Sequence, residues 1–119
     1  MNKDSCLFCK IIKKEIPAQI VFENDEVLAF KDIHPLAKVH YLFISKNHSE
    51  DVMSMMKEDS KNIEKIYQAI YDVAKKDQLD QQGFRVVCNT GAHGGQTVFH
   101  THFHLLGGEP LGSFGASTR

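Results

Sequence analysis

With 119 residues, the chain is long enough for one hydrophobic core that needs no disulfides, and a single domain over residues 1–119 is expected. Its 42% hydrophobic and 24% charged residues are ordinary for a globular protein, and a formal net charge of -1 offers no basic footprint for a nucleic-acid duplex. No run approaches the roughly 20 apolar residues of a spanning helix, and the N-terminal residues lack a signal-peptide core, so a cytoplasmic protein without a membrane role is expected.

In chain order, residues 5–14 read as a short helix capped by Asp4 or Ser5, with Pro17 ending it soon afterwards. Residues 20–23 and 27–31 read as two strands joined by the polar turn Asn24-Asp25-Glu26. His34-Pro35 breaks the next stretch, and residues 40–44 form a third strand. The long middle section is helical: Ile63, Ile66, Tyr67, Ile70, Val73 and Ala74 recur at three- and four-residue spacing, with Lys61, Glu64, Lys65, Asp72, Lys75 and Lys76 on the remaining surface. Gly83 closes the connection out of this helix, residues 84–89 form a fourth strand and residues 98–106 a fifth. Strands around one long helix predict an α+β domain with a mostly antiparallel sheet.

The compositional oddity is seven histidines in so short a chain. Three of them, His100, His102 and His104, alternate with Thr101, Phe103 and Leu105, so the fifth strand should turn three imidazoles to one face. A single histidine there would be an ordinary polar residue on a wet face, but Lys, Glu or Thr would solvate such a face equally well. One three-histidine metal centre does not suit the spacing: His100 and His104 start roughly 13 Å apart along a strand, whereas metal–nitrogen bonds are about 2 Å. An extended phosphate ester suits it better. A neutral imidazole is available as a nucleophile near pH 7, and its neighbour can donate to phosphate oxygens or to the leaving group. The nucleophile should need an orienting partner on its second nitrogen. Just before the triad, residues 89–97 make a connection longer than a hairpin requires. Gly94 and Gly95 permit a close backbone approach to an anion, and Gln96 and Thr97 add donors, so the loop reads as a phosphate cradle; alone, it reads equally well as a loose glycine turn.

These residues resemble the histidine triad family of nucleotide hydrolases and transferases. The similarity extends over the Phe8–Ala18 stretch, Ala29–Pro35, residues 40–44 and Gly94–Gly108, and the closing Leu105-Leu-Gly-Gly-Glu-Pro-Leu-Gly112 is similar to bacterial members of the Hint branch, the purine nucleoside phosphoramidases. The resemblance implies a five-stranded antiparallel sheet with one long and one short helix, pairing into a homodimer. It implies that His102 is the nucleophile that becomes transiently nucleotidylated. His104 and Thr97 would hold the α-phosphate, with Gly95, Gln96 and Asn89 lining its approach. His40 would complete the catalytic cluster with His100 and help orient His102. Asp32 would bind the ribose hydroxyls, and Ile33, Phe8, Ile11 and Ile16 would form the purine slot. Without the resemblance, Asp32 reads as ordinary turn chemistry before His34-Pro35. Thr101 departs from the family, which usually has an aliphatic residue there; being small and β-branched, it should still fit a strand facing the core.

Three cysteines suit a reducing compartment better than a disulfide framework. Cys6-x-x-Cys9 is a half-site for zinc, and a redox reading lacks the strand that normally precedes such a pair. Cys88, in an apolar strand, reads as a core residue. Some bacterial members of the family carry zinc on two N-terminal cysteines and two histidines, and His48 and His100 stand at the matching positions. The resemblance therefore implies a structural zinc and no cofactor for catalysis; the bland alternative is two buried thiols in the first helix. His34 and His93 have no such match and read as loop residues.

The function expected from all this is hydrolysis of a purine nucleoside phosphoramidate (an AMP- or GMP-type substrate) through a nucleotidyl-histidine, releasing an amine. The alternatives are a dinucleoside polyphosphate hydrolase, a non-catalytic nucleotide-sensing or partner-binding module, and a zinc module without a nucleotide role.

Overall fold

The computed structural model describes residues 5–113. Its elements are α1 (Leu7–Ile12), β1 (Ile20–Glu23), β2 (Val27–Lys31), β3 (Val39–Ser45), α2 (Val52–Asp59), α3 (Lys61–Lys76), β4 (Arg85–Val87) and β5 (His102–Gly107). The strands form one antiparallel sheet in the order β1-β2-β3-β5-β4, so the α+β class and the five-stranded sheet are as expected. No helix among the described residues is long and apolar enough to cross a membrane.

Strand alternation divides the core into two layers. Val27, Ala29, Phe43, Phe103 and Leu105 turn towards α2 and α3, where they meet Met55, Ile66, Ala69, Ile70 and Val73. Leu28, Phe30, Leu42 and Ile44 turn the other way, under Phe8, Cys9 and Ile11 of α1. β2 is therefore apolar on both faces, as the unbroken burial of Val27–Phe30 records.

The elements differ from the sequence reading in several places, β4 among them, which covers only Arg85–Val87. The helical middle is two helices, because the chain turns at Ser60, leaving α2 capped by the Asp51 carboxylate on Ser54 N at 2.9 Å. The buried stripe of α3 takes in Asn62 and Ala69 and leaves Tyr67 half exposed, since small side chains allow close approach to the sheet. The first helix is capped by Cys6, whose sulfur accepts from Cys9 N at 3.4 Å, while Asp4 lies outside the described residues. Finally, β5 begins only at His102 and not at residue 98.

The Leu-Leu-Gly-Gly-Glu tail turns back at Gly108, which has φ +82° and whose Cβ, if it had one, would press on Val39 and Lys38 at 3.2 Å. Glu109 then accepts from the Lys38 backbone N–H at 2.7 Å, fastening the tail to the start of β3.

Candidate active site

Between α1 and the β2–β3 connection lies an apolar cleft of about 260 Å³. Phe8, Ile11, Ile16 and Ile33 line it together with Asp32, Thr97, His102 and His104. The four apolar residues expected as a slot therefore share one cavity with two of the expected histidines. Ile33 is 85% exposed, an aliphatic side chain held at the mouth with little of its own to pack against. His34, read as a loop residue, stands in the loop and also lines the cleft, whereas His93 is an exposed loop residue.

The histidines are ordered by their hydrogen bonds. His102 Nδ1 lies 2.8 Å from the carbonyl oxygen of His100, which accepts, so Nδ1 carries the proton and Nε2 keeps its lone pair. Burial holds the His102 pKa below the usual imidazole value, against smaller opposing effects of that carbonyl and of Asp32. A buried ring kept neutral, on a cleft wall, with an unprotonated Nε2, is a competent nucleophile. Phe8 meets it edge-on with centroids 5.2 Å apart, fixing the ring plane from the α1 side.

A second chain of bonds sets His104. The Leu36 backbone N–H donates to His40 Nδ1 at 3.0 Å, which puts the His40 proton on Nε2. His40 Nε2 then donates to His104 Nδ1 at 2.9 Å, with the Asp32 carboxylate 3.5 Å away on the same side. A neutral His104 therefore carries its own proton on Nε2, as a donor. The ligand atoms of Asp32, His40 and His104 lie within 4.8 Å of one another, but this proton order leaves His40 Nε2 no lone pair for a cation. The sequence reading gave His40 the task of orienting His102; its partner is His104, and the backbone of His100 orients His102.

The glycine loop departs further from expectation. The Gln96 side chain is consumed internally: it accepts from Gly91 N at 2.9 Å and donates to the carbonyls of Glu50 at 2.8 Å and Val98 at 3.0 Å. The backbone N–H groups of Gly95 and Gln96 are also committed, to Ala92 O and Gly91 O. Gln96 thus braces the loop with the groups expected to face phosphate. Gly94 is required by packing, because a Cβ there would lie 2.4 Å from Thr90 O. Asn89 does not line the cleft, and its Nδ2 is buried with no hydrogen-bond partner among the described residues.

His100 leaves the strand altogether. Its Nε2 donates to Ser45 O at 3.0 Å, which turns the Nδ1 lone pair onto Cys6 Sγ at 3.3 Å, Cys9 Sγ at 3.6 Å and His48 Nδ1 at 3.2 Å. His48 Nδ1 is also 3.4 Å from Cys9 Sγ. Four donors around a tetrahedral zinc, with bonds of about 2.3 Å to sulfur and 2.0–2.1 Å to nitrogen, would stand roughly 3.5 Å (S···N) and 3.3 Å (N···N) apart. The donor set and its spacing fit such an ion. Burial pushes the His100 pKa down to about 4, so the ring is neutral, the form that ligates. Cys88 is half-buried against the α3-side core, with its thiol pushed up to about 11 by burial and, less, by Asp51. None of Cys6, Cys9 and Cys88 is in a disulfide.

Three contributors escaped the sequence reading. The Leu36 N–H and the Ser45 carbonyl are backbone groups, invisible to residue type. Ser49 is the third, with no signal beyond following His48.

Comparison with known proteins agrees with this geometry. Residues 5–116 match the family model "Scavenger mRNA decapping enzyme C-term binding". An uncharacterized HIT-like protein of Rickettsia prowazekii is 42% identical over 111 residues, covering 92% of each chain. The purine nucleoside phosphoramidase of Escherichia coli is 38% identical over 109 residues, again covering 92% of each. Among solved structures, a histidine triad protein from Clostridium difficile superposes with a TM-score of 0.91 at 39% identity, covering 96% of this chain and 99% of that one. A HIT family hydrolase from Clostridium thermocellum superposes with a TM-score of 0.88 at 42% identity, covering 92% and 96%.

Proposed function

The chain belongs to the histidine triad family, and on that premise we propose that it is a nucleotide hydrolase that cleaves the P–N bond of purine nucleoside phosphoramidates through His102. The observation that carries the reading is the state of this one ring: Nδ1 tied to the His100 carbonyl at 2.8 Å, Nε2 left to attack, on the wall of a cleft also lined by Phe8, Ile11, Ile16 and Ile33. The purine occupies the slot of Phe8, Ile11, Ile16 and Ile33, and the ribose hydroxyls donate to Asp32. One Asp32 oxygen accepts from His34 N at 2.8 Å, which anchors the carboxylate beside the cleft. Phosphate oxygens accept from His104 Nε2–H and the Thr97 hydroxyl.

In the first step His102 Nε2 bonds to phosphorus, the P–N bond breaks with its pair going to nitrogen, and the nitrogen takes a proton from solvent water in the open cleft and leaves as the amine. In the second step water displaces the imidazole and frees the nucleoside monophosphate. Splitting the displacement lets the same histidine act on both halves. The amine specificity rests on the kinship with the Escherichia coli phosphoramidase. Initial rates on adenosine 5′-phosphoramidate and on a diadenosine polyphosphate test it: faster turnover of the phosphoramidate is expected, and preference for the polyphosphate would move the assignment to the other class of hydrolase.

We also propose that Cys6, Cys9, His48 and His100 hold a structural zinc, supported by the matching donor separations. When bound, the ion would cross-link α1 to the approach of β5 and take no part in the reaction. Metal analysis of the purified protein checks this, with one zinc per chain expected and its loss in Cys9→Ser. A homodimer and a cytoplasmic location complete the reading; apolar side chains exposed on α2 and α3, Met53, Met56, Tyr67 and Tyr71, support the first and the thiol chemistry the second.

A further inference from the structure

Thr101 stands between two histidines with different tasks, and what it touches joins them. The β3–β5 ladder ends at the pair Ile44 and His102. One residue earlier, where the next rung would be, Thr101 is held instead by Ser49: its N–H donates to Ser49 O at 2.8 Å and its Oγ1 hydroxyl donates to the same carbonyl at 3.1 Å. The two hydroxyl oxygens are 2.7 Å apart, and since the Thr101 proton is directed to the carbonyl, the Ser49 hydroxyl donates across this gap. Thr101 is 1% exposed and Ser49 6%, so the clasp is formed out of water. Each residue directly follows a histidine of the metal cluster: Ser49 follows His48, and Thr101 follows His100. Thr101 also directly precedes His102, whose ring is oriented by the carbonyl of His100, the group bonded to the Thr101 nitrogen.

We infer that Ser49 and Thr101 are positioning residues, a hydroxyl clasp that fixes His48 against His100 and, through the same peptide, aims His102. The inference rests on the proposed roles of His102 and of the Cys/His cluster. An aliphatic residue at 101 fills the same space but leaves the clasp to one backbone bond and strands the Ser49 hydroxyl. The His100 carbonyl and His48 then lose a shared restraint, and groups that orient ligands and nucleophiles must be held within about half an ångström. In this chain the departure from an aliphatic residue at position 101 is matched by a serine built to receive it.

The test compares the wild type with Thr101→Val, Thr101→Ser and Ser49→Ala. Three readouts are taken: kcat and KM on adenosine 5′-phosphoramidate, zinc affinity by competition with a chromophoric chelator, and the His102 tautomer by 15N imidazole spectroscopy. We expect Thr101→Val and Ser49→Ala to lower kcat about tenfold with KM within about twofold, to weaken zinc about tenfold, and to reduce the Nδ1–H tautomer of His102, with Thr101→Ser restoring all three. Wild-type kcat and tautomer in both hydroxyl-deleting variants, whatever their thermal stability, overturn the inference, as does a Thr101→Ser chain that behaves like Thr101→Val. A wild type that turns over no phosphoramidate sinks the hydrolase reading, and one that takes up no zinc sinks the metal reading. In either case the tautomer readout still decides the clasp, and Ser49→Ala decides it if Thr101→Val fails to fold.

Discussion

The two faces of the sheet are made by the same strands and do different work. On the α3 side, Val27, Ala29, Phe43, Phe103 and Leu105 meet helix residues in a mostly apolar layer, although α3 also buries Asn62. On the α1 side, the alternate residues of the same strands are hydrocarbon at Leu28, Phe30, Leu42 and Ile44, and imidazole at His40, His102 and His104. One residue of register separates Phe103, which anchors, from His102, the proposed nucleophile. The difference teaches that the fold gathers its buried imidazoles in one layer, where each ring is ordered by named bonds, and lets the mostly apolar opposite layer supply the stability.

That division is broken most severely at His102. His102→Ala should lower kcat/KM by roughly 10⁴-fold or more while leaving the urea unfolding midpoint close to wild type, because only the reactive layer is touched. Equal losses of stability and activity would erase the distinction between the layers. The mirror experiment is Phe43→Ala, a fully buried ring at the centre of the anchoring layer. It should cost roughly 3–5 kcal/mol in denaturant unfolding, with the folded fraction keeping its kcat. Asp32→Asn sharpens the comparison within the cleft. The amide oxygen still accepts from His34 N, but the ribose loses a charged acceptor, so KM should rise about tenfold with a smaller change in kcat. The smallest effect belongs to the rim. Glu23 is held below the usual carboxylate range by Lys14 and then Lys46, and both pairs are solvent-facing. Lys46→Ala should change unfolding by less than about 0.5 kcal/mol and activity not at all.

Much of this was legible in residue order. The two-residue period of β5 separated His102 and His104 from Phe103 and Leu105, and the three- and four-residue spacing of Ile66, Ile70 and Val73 located α3. The cleft residues and the four cluster residues were named through family resemblance, and the fold brings each set together. What sequence did not carry was hydrogen-bond direction. Gln96 looked like a donor awaiting phosphate because nothing in its neighbours' names reveals that Gly91, Glu50 and Val98 already use it. His40 looked like a partner for His102 because strand adjacency is legible and ring tilt is not; its Nε2 meets His104. His100 was counted as the first rung of a pleat, but the ladder stops short of it and the ring turns to the thiols. The α2 helix merged into α3 because Ser60 interrupts the axis without a proline or glycine to announce it.

The claim beneath the whole account is that a single neutral imidazole, His102, forms a bond to phosphorus. Acid-quenching proteins destroys such an adduct, so the measurement is a rapid alkaline quench of enzyme turning over adenosine 5′-phosphoramidate, followed by peptide mass spectrometry. The account predicts a nucleotidyl mass on the peptide that contains His102, localised to that residue and absent from His102→Ala. Steady turnover with no adduct at any quench time, or an adduct that persists in His102→Ala, would contradict it.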